Sequence, residues 1–197
     1  MPSLVVPFRG AEGKSRLELP TTAARAALVR AMLADVAAAC IAVGPTFVVT
    51  PDQALVEGAT VVPDPRRGQG EAVRAGLDAA FAAGGPETVL VVNADLPCVT
   101  ARDLFALAGA VPDQGLALAP AVDGTTNALA LASVDLFVPV YGPGSAARFA
   151  ALAQSRVVDS PNLRDDVDTF ADLERLVARL GVHTRSVFAL LQEATAA

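Results

Sequence analysis

The sequence predicts an α/β fold with a mostly parallel central sheet and helices on both faces. Short runs of β-branched and aliphatic residues alternate with longer segments whose apolar residues recur at helical spacing. Repeated strand–helix units are typical of parallel strands joined by crossover helices. The run Thr88–Val92 is the most apolar of the predicted strands, as a central strand buried on both faces requires.

The first half of the chain supplies four strands, each followed by helical or turn residues. Strands are predicted at Ser3–Val6, Phe47–Thr50, Thr60–Val62 and Thr88–Val92. Helices are predicted for a segment capped by Thr22 and stopped by Gly44-Pro45, for Pro51–Glu57, for Gly70–Ala83, and for a segment that runs from the capping box Thr100–Asp103 to Gly109.

The second half continues the alternation. Strands are predicted at Leu116–Pro120, at Ala128–Ala132 and near Val157-Val158, and helices over Ser145 to about Gln154 and over Phe170–Leu180, with an extended stretch at Leu163–Asp168. No linker long enough to separate domains interrupts the pattern, so a single domain over 1–197 is expected. In such sheets, ligands bind beyond the carboxyl ends of the strands.

Composition excludes several classes of protein. Apolar residues make up 53% of the 197 positions and charged residues 18%, which excludes global disorder. Lys plus Arg number 15 against 21 Asp plus Glu, so the net charge of −6 gives no basic field for a nucleic-acid partner. The start has no basic signal-peptide region, and Asp35 interrupts the longest apolar stretch, so no membrane segment and a cytoplasmic location are expected. Cys40 and Cys98 form no disulfide or metal-clip pattern.

The loop after the first strand, Val6–Leu17, contains Lys14, the only lysine in the chain. A single lysine kept in a chain otherwise rich in arginine suggests a compact ammonium placed at a phosphate. The alternative is a solvated loop with a chance lysine. The loop is not a Walker A motif, because Gly10 and Gly13 are only three positions apart.

Carboxylates follow the most apolar strand and recur near the end of the chain. Asp95 is placed to hold a cation between itself and a bound phosphate, or else it begins a turn before Pro97. Alternation along the extended stretch puts Asp166 and Asp168 on one face and Asp165 on the other. Paired carboxylates repel each other unless a cation lies between them. Alternatively, Asp168 or Thr169 caps the following helix with Asp172 completing the box, which explains one carboxylate but not the pair.

Hard carboxylate oxygens suit Mg²⁺ or Mn²⁺ completed by substrate phosphates. One histidine, His183, and two scattered cysteines cannot build a zinc or iron site.

Three loops could contact ligands. Asp123–Asn127 offers hydroxyl and amide donors, or forms the hairpin turn that Asp-Gly favours. Tyr141–Ser145 leads into a helix and could hold a phosphate or carboxylate, although any helix entry can look like this. In Pro63–Glu71, backbone groups and Gln69 could read the edge of a base.

Taken in order, these motifs resemble one family. The relevant stretches are Lys14–Leu17, Asp95–Pro97, Gly124–Asn127, Tyr141–Ser145 and Asp166–Thr169. The chain resembles the 2-phospho-L-lactate / phosphoenolpyruvate guanylyltransferases of coenzyme F-420 biosynthesis, from the first strand to about Leu176. The resemblance implies a glycosyltransferase-A-like nucleotidyltransferase fold.

The resemblance also implies roles for particular residues. It implies two Mg²⁺ ions held by Asp95, Asp166 and Asp168, with Mn²⁺ as an alternative, and a Lys14 loop that embraces the GTP phosphates. The candidate catalytic residues are Lys14 and the three aspartates; the candidate nucleotide-binding residues are Pro7, Arg9, Lys14, Arg16, Gln69, Gly70 and Asp95; the candidate acceptor-binding residues are Thr126, Asn127, Gly142 and Ser145. The chain departs from the family at Gly70–Val73, where Leu-Asn-x-Ala is usual.

The implied reaction is transfer of GMP from GTP to a phosphorylated three-carbon acid with release of pyrophosphate. Other readings are a molybdenum-cofactor guanylyltransferase-like enzyme or a cytidylyltransferase on the same fold, a catalytically silent nucleotide-binding module, or a structural domain without a ligand. The apolar region Val187–Leu191 could pack on its own domain or on a second subunit in a homodimer.

Overall fold

The computed structural model describes residues 1–10, 14, 17, 19, 21–52, 56–85 and 87–196. In chain order the elements are β1 (Ser3–Pro7), α1 (Thr22–Ile41), β2 (Thr46–Thr50), β3 (Thr60–Pro63), α2 (Gln69–Ala82), β4 (Val89–Val92), α3 (Ala101–Gly109), β5 (Leu116–Pro120), β6 (Thr126–Leu131), α4 (Ser145–Ala150), β7 (Ser155–Val157), α5 (Pro161–Arg164), α6 (Phe170–Leu176) and α7 (Val182–Ala196). None of the helices in the described ranges combines the length and apolarity needed to cross a bilayer.

The strands form one seven-stranded sheet in the order β3-β2-β1-β4-β6-β5-β7. Neighbouring strands are parallel, except that β6 runs antiparallel to both β4 and β5. The predicted α/β class with a mostly parallel sheet is confirmed. The change of strand direction arises at the hairpin between β5 and β6, which contains the pair Asp123-Gly124. Gly124 has a φ of 80°, a conformation that favours glycine. As a result, the first residues of β6 lie beside the carboxyl end of β4.

The predicted helix Pro51–Glu57 is wrong for the part of it that the structure describes. Pro51 and Asp52 form a bend, and Glu57 lies in a turn; residues 53–55 are outside the described ranges. The N–H of Asp52 donates to the hydroxyl of Thr50 at 3.1 Å. This local bond offers the backbone an alternative to a helical turn.

The stretch Leu163–Asp168, predicted to be extended, begins with a helical turn instead. Leu163 lies in α5, whose first residue is Pro161, and proline at this position sets the φ angle that a helix needs. Only the residues from Asp165 onward are extended. The predicted helices that start at Ser145 and Phe170 both form, but end at Ala150 and Leu176. The first ends early because the chain turns toward β7, and just before that strand the carbonyl of Gln154 accepts from the N–H of Leu116 (2.9 Å).

Both faces of the sheet are covered, so the core has two layers. Along β1, Leu4 and Val6 pack with residues of α1, α3 and α7, whereas Val5 packs with residues of α2 and α4. This alternation is the two-residue period of a strand. Every residue of β4 is buried, in agreement with the prediction that this apolar run lies inside the sheet.

A buried aspartate of α1 attaches α7 to the rest of the fold. Asp35 accepts hydrogen bonds from the backbone N–H groups of His183 (3.0 Å) and Thr184 (2.8 Å), in the first turn of α7. A Cβ on Gly181 would lie 2.2 Å from the Asp35 carboxyl carbon. The N–H of Gly181 donates to the carbonyl of Pro97 (2.8 Å), so the same corner contacts the loop after β4.

Replacing this aspartate should destabilise the protein. Asp35→Ala is expected to lower the free energy of unfolding by about 1–3 kcal/mol, because two backbone donors at the start of α7, one of them buried, lose their acceptor. Urea denaturation followed by circular dichroism measures the change. The control is Asp113→Ala, at an exposed position, which should change stability by less than about 0.5 kcal/mol. Equal effects of the two variants would contradict the assigned role.

Candidate active site

Three carboxylates meet at the edge of the sheet where the parallel strands end. Asp95 follows β4, and Asp166 and Asp168 lie on the extended segment before α6. One oxygen atom from each lies within 4.8 Å of the others. The two segments are joined by a hydrogen bond from the Val167 N–H to the Asp95 carbonyl (3.0 Å). Val167 itself points into the core, so the alternation along the segment turns its two neighbours toward Asp95.

The carboxylate cluster has the properties of a cation site. Asp95 Oδ1 is buried and has no hydrogen-bond partner among the described residues. Burial, and then the neighbouring charge of Asp95, raise the pKa of Asp166 above its usual range, although hydrogen bonding opposes the shift. A bound cation would satisfy the first atom and favour ionisation of the second. Carboxylate oxygens are the ligands that Mg²⁺ and Mn²⁺ prefer, so the donor set fits a hard divalent ion.

The ammonium group of Lys14 lies against this cluster. Its Nζ is 2.6 Å from Asp95 Oδ2 and also contacts Asp168 Oδ1. Burial opposes the charge on Lys14, but the two carboxylates outweigh burial and raise its pKa above the ordinary value. The only lysine of the chain is therefore a charged partner of the cluster.

Two asparagines connect the cluster to its surroundings. Asn127, in β6, donates to the carbonyl of Arg164 (3.0 Å) and to Asp166 Oδ1 (3.4 Å). Asn93, after β4, accepts from the side-chain amide of Gln69 (3.0 Å) and donates to the carbonyl of Thr126 (3.2 Å). A continuous set of hydrogen bonds therefore runs from the start of α2, past β4, to β6.

Asp165 lies on the opposite side of the extended segment, as the alternation predicts. It accepts from Arg179 (2.5 Å), and Arg164 and Arg175 lie 3.5 Å away. Burial would raise its pKa, but the hydrogen bond and charge of Arg179 and the other guanidinium groups hold it below the usual value. Asp165 is thus fully paired by arginines and anchors the backbone that carries its two neighbours.

A cavity of about 1130 Å³ opens along the same edge, beyond the ends of β3, β2, β1 and β4. Its walls include the predicted nucleotide-binding residues Pro7, Arg9, Lys14, Gln69 and Asp95. Gly70 is absent from the described lining; its missing side chain leaves room for Pro139 instead, whose Cβ lies 2.4 Å from where a Gly70 Cβ would be. Arg16 lies outside the described residues.

On the other side of the cluster, β6 meets the loop before α4. The hydroxyl groups of Thr126 and Ser145 lie 3.1 Å apart and both residues are buried. In the loop, Gly142 and Gly144 have φ angles of 107° and 70°. The structure therefore brings Thr126, Gly142 and Ser145 together, while Asn127, on the alternate position of β6, contacts Asp166.

Arg148 shapes this loop and was not among the candidates. Its guanidinium donates to the carbonyl groups of Val140 (2.9 and 3.1 Å), Tyr141 (3.2 Å) and Pro143 (2.6 Å). Three carbonyls are thereby turned toward one side chain. The only sequence signal was an arginine three positions after Ser145, on the first turn of a predicted helix.

The fold is shared with solved structures of nucleotide-handling transferases. A Desulfovibrio desulfuricans G20 protein described as a nucleotide-diphospho-sugar transferase superposes with a TM-score of 0.74 and 21% identity, over 100% of this chain and 96% of its own. A 4-diphosphocytidyl-2C-methyl-D-erythritol synthase superposes with a TM-score of 0.59 and 16% identity, over 89% and 95% of the two chains. The expected nucleotidyltransferase fold is confirmed.

Within that fold, the chain belongs to the family described as "Guanylyl transferase CofC like", which it matches over residues 3–188. It is 40% identical to the phosphoenolpyruvate guanylyltransferase of Sphaerobacter thermophilus, over 71% of this chain and 72% of that protein. It is 35% identical to the 2-phospho-L-lactate guanylyltransferase of Halorubrum lacusprofundi (88% and 83%) and 34% identical to the 3-phospho-D-glycerate guanylyltransferase of Phenylobacterium zucineum (85% and 86%). The family resemblance predicted from the motifs is confirmed.

Asp103, in α3, holds the residues just before the segment that carries Asp166 and Asp168. Its carboxylate should make the free energy of unfolding depend on pH. Asp103 accepts from Ser160 (2.8 Å) and Asn162 (3.0 Å) and caps α3 through Thr100. Burial would raise the pKa of Asp103, but these hydrogen bonds outweigh it and lower the pKa below the usual value.

Because the folded pKa of Asp103 is the lower one, its contribution is present above the unfolded pKa of about 4 and is lost as the pH falls through the folded pKa. Asp103→Asn should lower the free energy of unfolding by about 1–2 kcal/mol at neutral pH, and the difference from wild type should shrink between about pH 5 and pH 3. Urea titrations across this range test it, with Asp113→Asn as control. A difference that is constant with pH would contradict the prediction.

Proposed function

We propose that this protein transfers GMP from GTP to a small phosphorylated acid, with release of pyrophosphate, as a step in coenzyme F-420 biosynthesis. The candidate acceptors are phosphoenolpyruvate, 2-phospho-L-lactate and 3-phospho-D-glycerate, the acids in the names of its relatives. One observation carries the proposal. Along the sheet edge, the large cavity lies on the β3-to-β1 side, the three carboxylates follow at β4, and the Thr126–Ser145 contact follows at β6.

This order suits the transfer of a nucleotidyl group. GTP in the cavity would place its α-phosphate beside the carboxylates, and an acceptor held at β6 would approach from the other side. A bond forms between the acceptor's phosphate oxygen and the α-phosphorus, and the bond from that phosphorus to the bridging oxygen breaks. Pyrophosphate leaves with the electron pair, toward the cavity side.

The nucleophile needs no general base. The second pKa of a phosphate monoester is about 6, so the acceptor is mostly a dianion at neutral pH. What the site must supply is neutralisation of two anions that repel each other. The exposed His183 therefore has no part in the proposed chemistry.

Asp95, Asp166 and Asp168 would hold Mg²⁺, with two ions expected from the family resemblance and Mn²⁺ as an alternative. When bound, the metal supplies charge neutralisation at the reacting phosphates. Lys14 and Arg9 line the cavity next to this cluster and would contact the triphosphate. Asn127 keeps Asp166 oriented through its amide.

Thr126, Asn127, Gly142 and Ser145 would contact or orient the acceptor. The buried hydroxyl pair of Thr126 and Ser145 offers donors that can turn toward an anion, because a hydroxyl proton rotates to suit its partner. Lysine and arginine are absent from these four positions, so positive charge must come from the cluster side. We therefore expect the acceptor's phosphate, rather than its carbon end, to face Asp95.

The other readings of the sequence are not favoured. The family match over residues 3–188 does not favour a molybdenum-cofactor or cytidylyl enzyme. A silent module would have no need of three converging carboxylates, one of which has a buried oxygen without a hydrogen-bond partner among the described residues.

The direct test is pyrophosphate release by the purified protein with Mg²⁺, GTP and each of the three acids in turn. Release with one acid, and its loss when ATP or CTP replaces GTP, would support the proposal and identify the acceptor. A folded protein that releases no pyrophosphate with any acid would overturn it.

Removing one carboxylate tests the metal role. Asp168→Ala is expected to lower kcat by at least about 1000-fold, because the charge on the reacting phosphates is no longer neutralised. Binding of Mn²⁺ followed by electron paramagnetic resonance should weaken in parallel, while the melting temperature is retained. The control is Glu174→Ala, which removes an exposed carboxylate of the adjacent α6. Retained turnover in Asp168→Ala would refute the assignment.

Loosening the loop before α4 tests the acceptor side. Arg148→Ala should raise KM for the acceptor acid by about 10- to 100-fold, because small misplacements of binding groups are costly. KM for GTP should change little, since among the described residues the guanidinium of Arg148 donates to carbonyls of the Val140–Pro143 loop. Steady-state kinetics with each substrate varied measures the split. Arg156→Ala, at an exposed position on β7, is the control; an equal rise in both KM values would argue against this role.

A further inference from the structure

We infer that Asp64 reads the guanine base of GTP, an inference that rests on the proposed function and specifies its nucleotide selectivity. Asp64 directly follows β3 and lines the large cavity at the end opposite the carboxylate cluster of Asp95, Asp166 and Asp168. The sequence pattern pointed to base reading by the backbone of Pro63–Glu71 and by Gln69, but gave the side chain of Asp64 no role.

The sheet puts Asp64 at a suitable distance from the reacting phosphate. In the parallel register, Val5 pairs with Val91, Pro7 with Val49, and Thr50 with Pro63. Following these pairs, Asp64 stands at nearly the same level of the edge as Asp95, three strands away, or about 14 Å between backbones at the usual strand spacing. After the two side chains are allowed for, an extended nucleoside monophosphate spans the remaining gap, with its α-phosphate at the cluster and its base at β3.

The carboxylate of Asp64 is held in one orientation. Its backbone N–H donates to the carbonyl of Thr50 (3.2 Å), and its Oδ1 accepts from the backbone N–H of Arg66 (2.7 Å). Within the described residues, no hydrogen bond or ion pair reaches Oδ2. Because Asp64 lines the cavity, the group offers acceptor capacity to a ligand without first having to be ordered.

A carboxylate in this place does not suit the triphosphate, because like charges repel. It suits guanine, whose Watson–Crick edge presents two adjacent donors, N1–H and the 2-amino group. An ionised carboxylate is an acceptor with two oxygens and can accept both. Adenine and cytosine present a ring-nitrogen acceptor at the corresponding position, which would face a carboxylate oxygen without a proton between them. Asp64 would therefore favour guanine and disfavour both competitors.

The neighbouring polar side chains are less suited to this task. Gln69 lines the cavity, but its amide nitrogen donates to Asn93. Asp52 also lines the cavity, but it lies one strand closer to the expected position of the phosphates. It packs on Gly10: a Cβ added to Gly10 would lie 3.4 Å from Oδ2 of Asp52. Asp52 therefore provides a matched control: a second carboxylate in the same cavity at a different level of the nucleotide.

The test exchanges the hydrogen-bonding pattern of both partners. Asp64→Asn keeps the size of the side chain but turns one oxygen into an amide donor. Xanthine keeps N1–H but has a carbonyl in place of the 2-amino group, so the asparagine would match xanthosine triphosphate. We expect kcat/KM for GTP to fall by about 100-fold and the preference between GTP and xanthosine triphosphate to invert. Inosine triphosphate lacks the 2-amino group; its disadvantage against GTP, about 10-fold in wild type, should disappear in Asp64→Asn.

Pyrophosphate release with the best acceptor gives these ratios, and calorimetric binding of the same three nucleotides checks them without turnover. Activity of Asp64→Asn with xanthosine triphosphate would itself demonstrate correct folding. Asp52→Asn should still prefer GTP over both analogues, whatever its effect on the overall rate.

Two results would overturn the inference: Asp64→Asn with the wild-type order of preference, or Asp64→Asn at the wild-type melting temperature with equal losses for all three nucleotides. Inversion of the preference by Asp52→Asn would assign the base to Asp52 instead. Wild-type protein that is inactive with GTP would refute the proposed function, an outcome distinct from all of these.

Discussion

The mutual repulsion of three carboxylates at one edge of the sheet is the constraint around which the molecule is arranged. Asp95, Asp166 and Asp168 come from segments about 70 positions apart, and they stay together because the Asp95 carbonyl accepts from Val167, whose side chain is buried in the core. Repulsion is countered from outside by Lys14 and resisted from behind by Asp165, whose arginine partners fix the backbone. The negative charge of the cluster thus faces the large cavity, which Asp95 and Asp168 line, and a cation bound there would attract phosphate groups.

The antiparallel strand β6 supplies the position at this edge where we propose that the acceptor binds. If the neighbour of β4 in the sheet were another parallel strand, that strand would also end at this edge. The loop that leaves it, together with the start of the next helix, would then lie beside the carboxylate cluster. The hairpin at Asp123–Gly124 instead brings the start of β6 beside the end of β4, so Thr126 and Asn127 lie next to the cluster. The hydrogen bonds from Gln69 through Asn93 to Thr126 then connect the two sides of the edge.

Local sequence patterns predicted much of this sheet edge and its carboxylates. The rest depends on long-range contacts that no local pattern contains. The period of two in Asp165–Asp168 was enough to separate the paired aspartate from the two that face Asp95, and the apolar run at Thr88–Val92 marked an interior strand. The antiparallel direction of β6 followed from only one of two interpretations of Asp123–Asn127, the hairpin turn, since the same residues could also have been ligand donors. The predicted helix at Pro51 does not form because the Thr50 hydroxyl accepts a hydrogen bond from the Asp52 backbone. Arg148 was missed because its partners are backbone carbonyls, which residue types do not reveal; their positions are set only by the folded loop.

That Lys14 is the only lysine has a practical consequence for chemical labelling. An amine-directed reagent has a single side-chain target in this protein, besides the terminal amino group, and that target is embedded among the carboxylates. Its raised pKa makes the free amine scarce, so acylation at Lys14 should be slow whenever the ion pairs are intact. The rate of labelling at this one atom would therefore report how firmly the ammonium is held, without any mutation or added fluorophore.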